Sequence, residues 1–289
     1  MKKTMVRTAL AGALMLLAAV VGLASMTAPA SAQALKDAKC TGRPGIPWDE
    51  QIAGCTKAIK SGRYSGQELV AAFLNRAAAH RAKGDLARAI EDYGQAIKLN
   101  PNEATAFYYR GIAHGMRGEA GPAIQDFTQA IRLDPNNAGA RYSRGLTYSN
   151  EGNWDQAIED YDAAIKLNPN DVRIFSNRGN AYLAKRQYDR AIEDYDRAIA
   201  LDPSEAIPFN NRGSAYYKKG QSDRAMQDFD RAIELDPNYP DALNNRGLAY
   251  TGKGQYDRAI QDFDRALRLD PKDADAIRYR AEAIAKKNN

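Results

Sequence analysis

The sequence predicts an all-α solenoid built from stacked helix–turn–helix units. Three observations lead there. Prolines stand at Pro101, Pro135, Pro169, Pro203, Pro237 and Pro271, each 34 residues after the last, and a fixed period of about 20–50 residues marks a repeat architecture. Within a period the apolar residues take helical spacing. Ala191, Ile192, Tyr195, Ala198 and Ile199 fall at i, i+1, i+4, i+7 and i+8, one stripe on a helix. Small residues recur in the same frame at Ala77, Gly111, Gly145, Gly179, Gly213 and Gly247, alanines at Ala89, Ala123, Ala157, Ala191, Ala225 and Ala259, and an aromatic at Tyr93, Phe127, Tyr161, Tyr195, Phe229 and Phe263. Small residues let helices approach, and the ring fills the gap between units.

The chain opens on a leader. Lys2, Lys3 and Arg7 precede an uncharged run from Ala9 to Leu23, which closes with Ala28-Pro29-Ala30-Ser31-Ala32. A basic start, an apolar centre of about 7–15 residues and a small-x-small exit describe an export signal. The run is short of the ~20 apolar residues of a membrane span. Residues 1–32 are therefore expected to be a signal peptide cleaved after Ala32, which would leave 257 of the 289 residues, beginning at Gln33, in the periplasm or secreted. No later stretch is apolar enough to cross a bilayer. The leader takes three positive charges of the net +5, so the mature charge is about +2. The remaining charges interleave along helices, as in Asp194, Asp196 and Arg197, which is a solvated surface rather than a nucleic-acid footprint.

Residues 33–69 form an N-terminal cap segment holding the two cysteines, Cys40 and Cys55. An even pair in an exported chain predicts one disulfide. The redox alternative is disfavoured, because the spacing is far from the Cys-x-x-Cys that lowers a thiol pKa. Trp48-Asp49-Glu50-Gln51-Ile52, Cys55 and Ala58-Ile59 mirror Trp154-Asp155-Gln156-Ala157-Ile158, Tyr161 and Ala164-Ile165, so this segment contains a half repeat whose ring has become Cys55. The six units follow as 70–103, 104–137, 138–171, 172–205, 206–239 and 240–273. In each, a second helix ends at an Asx-Pro pair such as Asp202-Pro203, since the residue before proline is pushed out of helical geometry. A first helix, from about Pro208 to Lys219 in one unit, ends at Gly220. Residues 274–289, with Ile277, Ala281 and Ile284 facing inward, form a C-terminal capping helix, as the terminal units of a solenoid need protection.

The frame Phe107, Gly111, Ala123, Phe127, Ala130, Pro135 resembles the tetratricopeptide repeat, in a bacterial exported type. The resemblance implies a right-handed α-α superhelix of six repeats whose first helices line a concave groove for a protein or peptide partner. The groove positions here hold Tyr108, Tyr142, Asn177, Asn180, Asn210, Asn211, Tyr217, Asn244 and Asn245. Asparagine offers donor and acceptor to an extended backbone, and tyrosine adds rigid area. Family members that clamp a peptide carboxylate use Lys, Asn, Asn, Lys and Arg. The equivalent Ser176, Asn180, Asn211, Asp241 and Asn245 keep the asparagines and lack the cations. One packing departure stands out: the apolar position of Phe73, Phe107, Phe175, Phe209 and Leu243 is Arg141 in the third unit.

Chemistry-bearing residues are few. His80 and His114 occupy the register of Tyr148, Tyr182, Tyr216 and Tyr250, where replacement of tyrosine explains them better than a metal pair: parallel helices stand about 8–10 Å apart and zinc needs nitrogens at about 2.0–2.1 Å. Arg76, Arg110, Arg144, Arg178, Arg212 and Arg246 co-occur with Asp92, Asp126, Asp160, Asp194, Asp228 and Asp262. Strict co-occurrence predicts paired, partly buried ion pairs between helices, not groove ligands, because an unpaired buried charge is costly. No phosphate loop, zinc motif or nucleophile elbow is present. We therefore expect no catalytic residue, no metal and no cofactor, and an adaptor of the bacterial cell envelope; the alternative is an accessory subunit of a hydrolase or transferase. The oligomeric state is left open.

Overall fold

The computed structural model describes residues 39–42 and 45–288. The leader, residues 1–32, with its expected cleavage after Ala32, lies outside the described residues. Among those described there are fourteen helices and no strand. They fall into two compact units divided after Leu167.

The N-terminal unit holds α1 (Trp48–Lys60), α2 (Gly66–Ala82), α3 (Leu86–Leu99), α4 (Ala104–Met116), α5 (Ala120–Leu133), α6 (Ala138–Asn150) and α7 (Trp154–Leu167). The C-terminal unit holds α8 (Val172–Ala184), α9 (Tyr188–Leu201), α10 (Ala206–Lys218), α11 (Ser222–Leu235), α12 (Pro240–Gly252), α13 (Tyr256–Leu269) and α14 (Ala274–Asn288). Within each unit every helix packs on its chain neighbours, and first helices also touch the next first helix: α2 with α4 and α4 with α6, then α8 with α10, α10 with α12 and α12 with α14. This is an all-α helical-repeat fold.

The helix ends follow from two residue types. Second helices stop because a proline follows: Asp134, Asp202, Asp236 and Asp270 are extended, with φ between −142 and −130° and ψ between 90 and 97°. First helices stop on a left-handed residue, Gly220 at φ 79° after α10. The equivalent position after α8 is Arg186 at φ 60°. There Gln187 N–H still reaches Tyr182 O at 2.9 Å, closing the helix end.

The core between paired helices is a ring on a glycine, or on Ala77 in the first repeat. A Cβ on Gly247 would stand 2.6 Å from Phe263 Cε1, and one on Gly213 2.7 Å from Phe229 Cε1; Tyr93, Phe127, Tyr161, Tyr195, Phe229 and Phe263 are all buried. Beside each ring lies an ion pair. Arg76–Asp92, Arg110–Asp126, Arg144–Asp160, Arg178–Asp194, Arg212–Asp228 and Arg246–Asp262 are each bidentate, with Nη2 to Oδ1 at 2.6–2.7 Å and Nε to Oδ2 at 2.8–2.9 Å. In the C-terminal unit the third guanidinium nitrogen reaches the preceding repeat: Arg212 Nη1 meets Asp196 at 2.6 Å and Arg246 Nη1 meets Asp230 at 2.7 Å. These two arginines thus stitch neighbouring repeats together, and removing the buried carboxylate of such a pair would strand a cation at about 3–5 kcal/mol.

At the front, Cys40 and Cys55 form a disulfide with Cα atoms 4.7 Å apart. Both are fully buried against Ala71 and Ala72. Asn75 Nδ2 donates to Cys40 O at 2.7 Å, so the strap is held to α2 by a hydrogen bond as well as to α1 by sulfur. The chain lies so close on α1 that a Cβ on Gly54 would meet Lys39 at 2.7 Å.

Candidate functional site

The polar residues of interest sit on the first helices, and the structure sorts them into contacts of different kinds. In the N-terminal unit Tyr108 is half-buried on α4, its ring 6.2 Å from Phe127 and its hydroxyl over Gly139 of α6. Tyr142 turns into the core: only 5 % exposed, its ring lies 6.0 Å from Tyr161. The neighbouring Arg141 leaves the apolar slot and donates to Pro135 O at 3.2 Å, and Tyr142 supplies apolar bulk in that unit.

In the C-terminal unit the asparagines bond one another. Tyr195 Oη donates to Asn180 Oδ1 at 2.7 Å, and Asn211 Nδ2 donates to the same oxygen at 3.0 Å. Asn210 Nδ2 donates to Asn211 Oδ1 at 3.2 Å and Asn245 Nδ2 to Asn210 Oδ1 at 2.9 Å. The relay Tyr195–Asn180–Asn211–Asn210–Asn245 therefore runs across α9, α8, α10 and α12. Asn210, Asn211 and Asn244 are buried, while Asn177, Asn180 and Asn245 are half-buried. Asn244 stands apart from the relay, with Nδ2 donating to Asp273 Oδ2 at 2.7 Å. Tyr217 is half-buried, its hydroxyl 3.5 Å from Leu248 O, and burial raises its phenol above the ordinary value.

Sequence reasoning passed over Asp273 and named Asp241 only for the charge it lacks. Burial, and then the Asp273 carboxylate, push Asp241 up to about 6. A signal was available: the register of Asp241 holds Thr105, Gly139, Arg173 and Ile207 in earlier units. The histidines keep separate partners. His114 Nδ1 lies 2.5 Å from Glu119 Oε2, and His80, buried, has its pKa lowered by desolvation. Among the described residues no three His, Cys, Asp or Glu side chains are grouped to hold a metal, and no helix is long and apolar enough to cross a membrane.

Two-helix units of constant length, with a ring seated on a small residue in each, define a helical-repeat protein. Family models described as "TPR repeat" match residues 77–118 and 213–254, and models described as "Tetratricopeptide repeat" match 142–206 and 240–273. The chain is a tetratricopeptide-repeat protein. Among solved structures it is similar to MamA, at 29% identity and TM-score 0.52 over 57% of this chain and 96% of that one. A repeat protein from Parabacteroides merdae matches at 20% identity and TM-score 0.62, over 82% of this chain and 92% of that one. YrrB, described as a TPR protein with an unusual peptide-binding site, matches at 22% identity and TM-score 0.55, over 66% and 99%. A chain of the Cut9–Hcn1 assembly matches over 84% of this chain at 17% identity and TM-score 0.64, and there the present chain spans 49% of the other's length. No curated protein matches the sequence. Tetratricopeptide repeats are protein–protein interaction scaffolds, typically non-catalytic, whose partners are proteins or peptides.

Proposed function

We propose that the chain is a non-catalytic adaptor of the bacterial cell envelope, periplasmic or secreted, that holds an extended segment of a partner protein along the first helices of its C-terminal unit. The amide relay Tyr195–Asn180–Asn211–Asn210–Asn245 carries this reading. Its side chains are ordered by one another before a ligand arrives, so less entropy is lost on binding. Internal bonds fill Asn180 Oδ1, Asn210 Nδ2 and Asn245 Nδ2, and the amide capacity left for a ligand is that of Asn180 Nδ2 and Asn245 Oδ1. Half-buried Asn177, Asn180, Asn245 and Tyr217 offer the accessible part of that surface. The peptide-binding site of YrrB, a protein of the same fold, supports the same use here. The export leader and the cysteine pair favour an oxidising compartment.

The test is capture of a partner from envelope extract by the chain from Gln33 onward, followed by titration of the captured segment at about 50 and about 500 mM salt. Neutral amide contacts predict a dissociation constant near the micromolar range that changes less than about tenfold between the two. Tyr217→Ala should weaken binding about tenfold or more, measured at a temperature where the variant, which loses packing against the Phe229 cluster, is fully folded. A steep salt dependence, or indifference to Tyr217→Ala, refutes the groove reading. Intact mass of the exported protein reports separately on cleavage after Ala32.

A further inference from the structure

We propose that the first turn of α12 forms a pocket for one primary ammonium group, from a lysine side chain or an amino terminus of a bound segment. The proposal deepens the peptide-holding reading and rests on it. Asp241 and Asn244 are three residues apart on α12 and share a face. Asp273 meets Asn244 from the turn before α14, close enough for its charge to act on Asp241: its Oδ2 accepts from Asn244 Nδ2 at 2.7 Å, and its Oδ1 accepts the N–H groups of Asp275 and Ala276 at 2.9 and 3.1 Å. These bonds hold the Asp273 carboxylate in place and leave lone-pair capacity on Oδ2.

The other two groups lack what they need. Among the described residues the Asp241 carboxylate accepts no hydrogen bond, and the only charge acting on it is Asp273, of its own sign. Asn244 is 6 % exposed, and its Oδ1 has no hydrogen-bond partner. Buried acceptors are nearly always satisfied. A carboxylate and an orphaned amide oxygen on one helix face, neither supplied with a donor, beside the Asp273 carboxylate are complementary to a group with several N–H donors, a positive charge and no lone pair. A primary ammonium has three donors and no acceptor. A calcium ion would want about six to eight oxygens, and three side chains offer too few. The flanking ionisable group is Tyr239, whose hydroxyl accepts from Asn210 Nδ2 at 3.3 Å and is raised by burial. The next acidic residue in this register, Asp275, is already paired with Arg278 at 2.5 Å.

The pocket is tested without a known partner. Methylammonium chloride is titrated into the ¹⁵N-labelled chain while the Asn244 side-chain amide resonance is followed, with tetramethylammonium, of equal charge and no N–H, as control. The expected result is a saturable shift with methylammonium, at least about tenfold weaker with tetramethylammonium, and lost in Asp241→Asn. That variant is expected to stay folded, because it removes a half-buried charge that has no partner of opposite sign. Equal response to both cations, an unmoved resonance, a response that survives Asp241→Asn, or an equivalent shift with calcium chloride alone would each overturn the proposal. A second arm uses the blocked peptide Gly-Tyr-Lys-Tyr-Gly, its norleucine analogue, and the norleucine peptide with a free amino terminus. Tighter binding of either amine-bearing peptide, by about tenfold and only with Asp241 present, supports the pocket and identifies the source. Methylammonium binding with no peptide binding would keep the pocket and sink the peptide reading.

Discussion

Burial and the Asp273 carboxylate push the Asp241 carboxyl up from its usual 3.8 to about 6. Between those two values the folded chain holds a proton that the unfolded chain has lost. The stability this group contributes is therefore fully present below about pH 4 and is lost as pH rises through about 6. Asp241→Asn should be more stable than wild type at pH 7–8, by on the order of 1–3 kcal/mol for a shift of about two units. The advantage should vanish at about pH 4. Urea denaturation at the two pH values measures it, and a variant equally or less stable at pH 8 refutes the assignment. Single side chains also show where sequence reading stopped. The Arg–Asp pairs were legible because both members recur in every unit, and each pair proved bidentate. The asparagines were placed on the right helices, but their bonding to one another was not, since that depends on the spacing of neighbouring helices. Tyr142 was expected to face a ligand and instead fills core space beside Arg141, whose guanidinium turns out to Pro135 O.

Helix ends were the most legible elements. Proline after the second helix and glycine after the first each act on the backbone of one or two residues, so the rule needs no tertiary knowledge. At the front, the segment likened to a second helix is helical over Trp48–Lys60, and the strap that crosses it is joined at Cys40 and Cys55. At the other end the expected inward face of Ile277, Ala281 and Ile284 is wrong, since Ile277 is 51 % exposed and Ala276 and Ala283 are the buried residues. The exception among the helix ends is Arg186, at φ 60° where Gly220 and Gly254 stand in later units. An L-residue in that conformation costs about 1–2 kcal/mol, partly offset because glycine gives the unfolded chain more freedom, by about 0.4–1 kcal/mol. Arg186→Gly should thus stabilise the protein by roughly 0.5–1 kcal/mol. Arg186 is exposed and in a turn, so a small gain in the urea midpoint with unchanged slope is the expected result. A loss of stability would mean that its side chain contributes more than the backbone strain takes away.

For the whole molecule, the fold was nearly all readable, because a period repeated six times averages out local ambiguity. The partner was not, since every repeat protein of this kind shares the frame while the ligand is chosen by residues outside it. The frame itself has a consequence for ancestry. Within the C-terminal unit, Arg246 meets Asp230 as Arg212 meets Asp196, Lys253 meets Asp223 as Lys219 meets Asp189, and Asn245 reaches Ser214 as Asn211 reaches Asn180. If residues 206–239 were deleted, Arg246, Lys253 and Asn245 would inherit Asp196, Asp189 and Asn180, each at the old distance. The shortened protein should fold cooperatively with unchanged helicity per residue. Removing 206–238, one residue fewer, puts every inherited pair out of register and should lower the melting temperature by more than about 10 °C; equal melting of the two would refute this. Unequal crossing-over between sister copies of the gene could therefore add or drop whole units without penalty while every fractional change is purged, so the length of such a protein evolves in steps, like a count rather than a measurement.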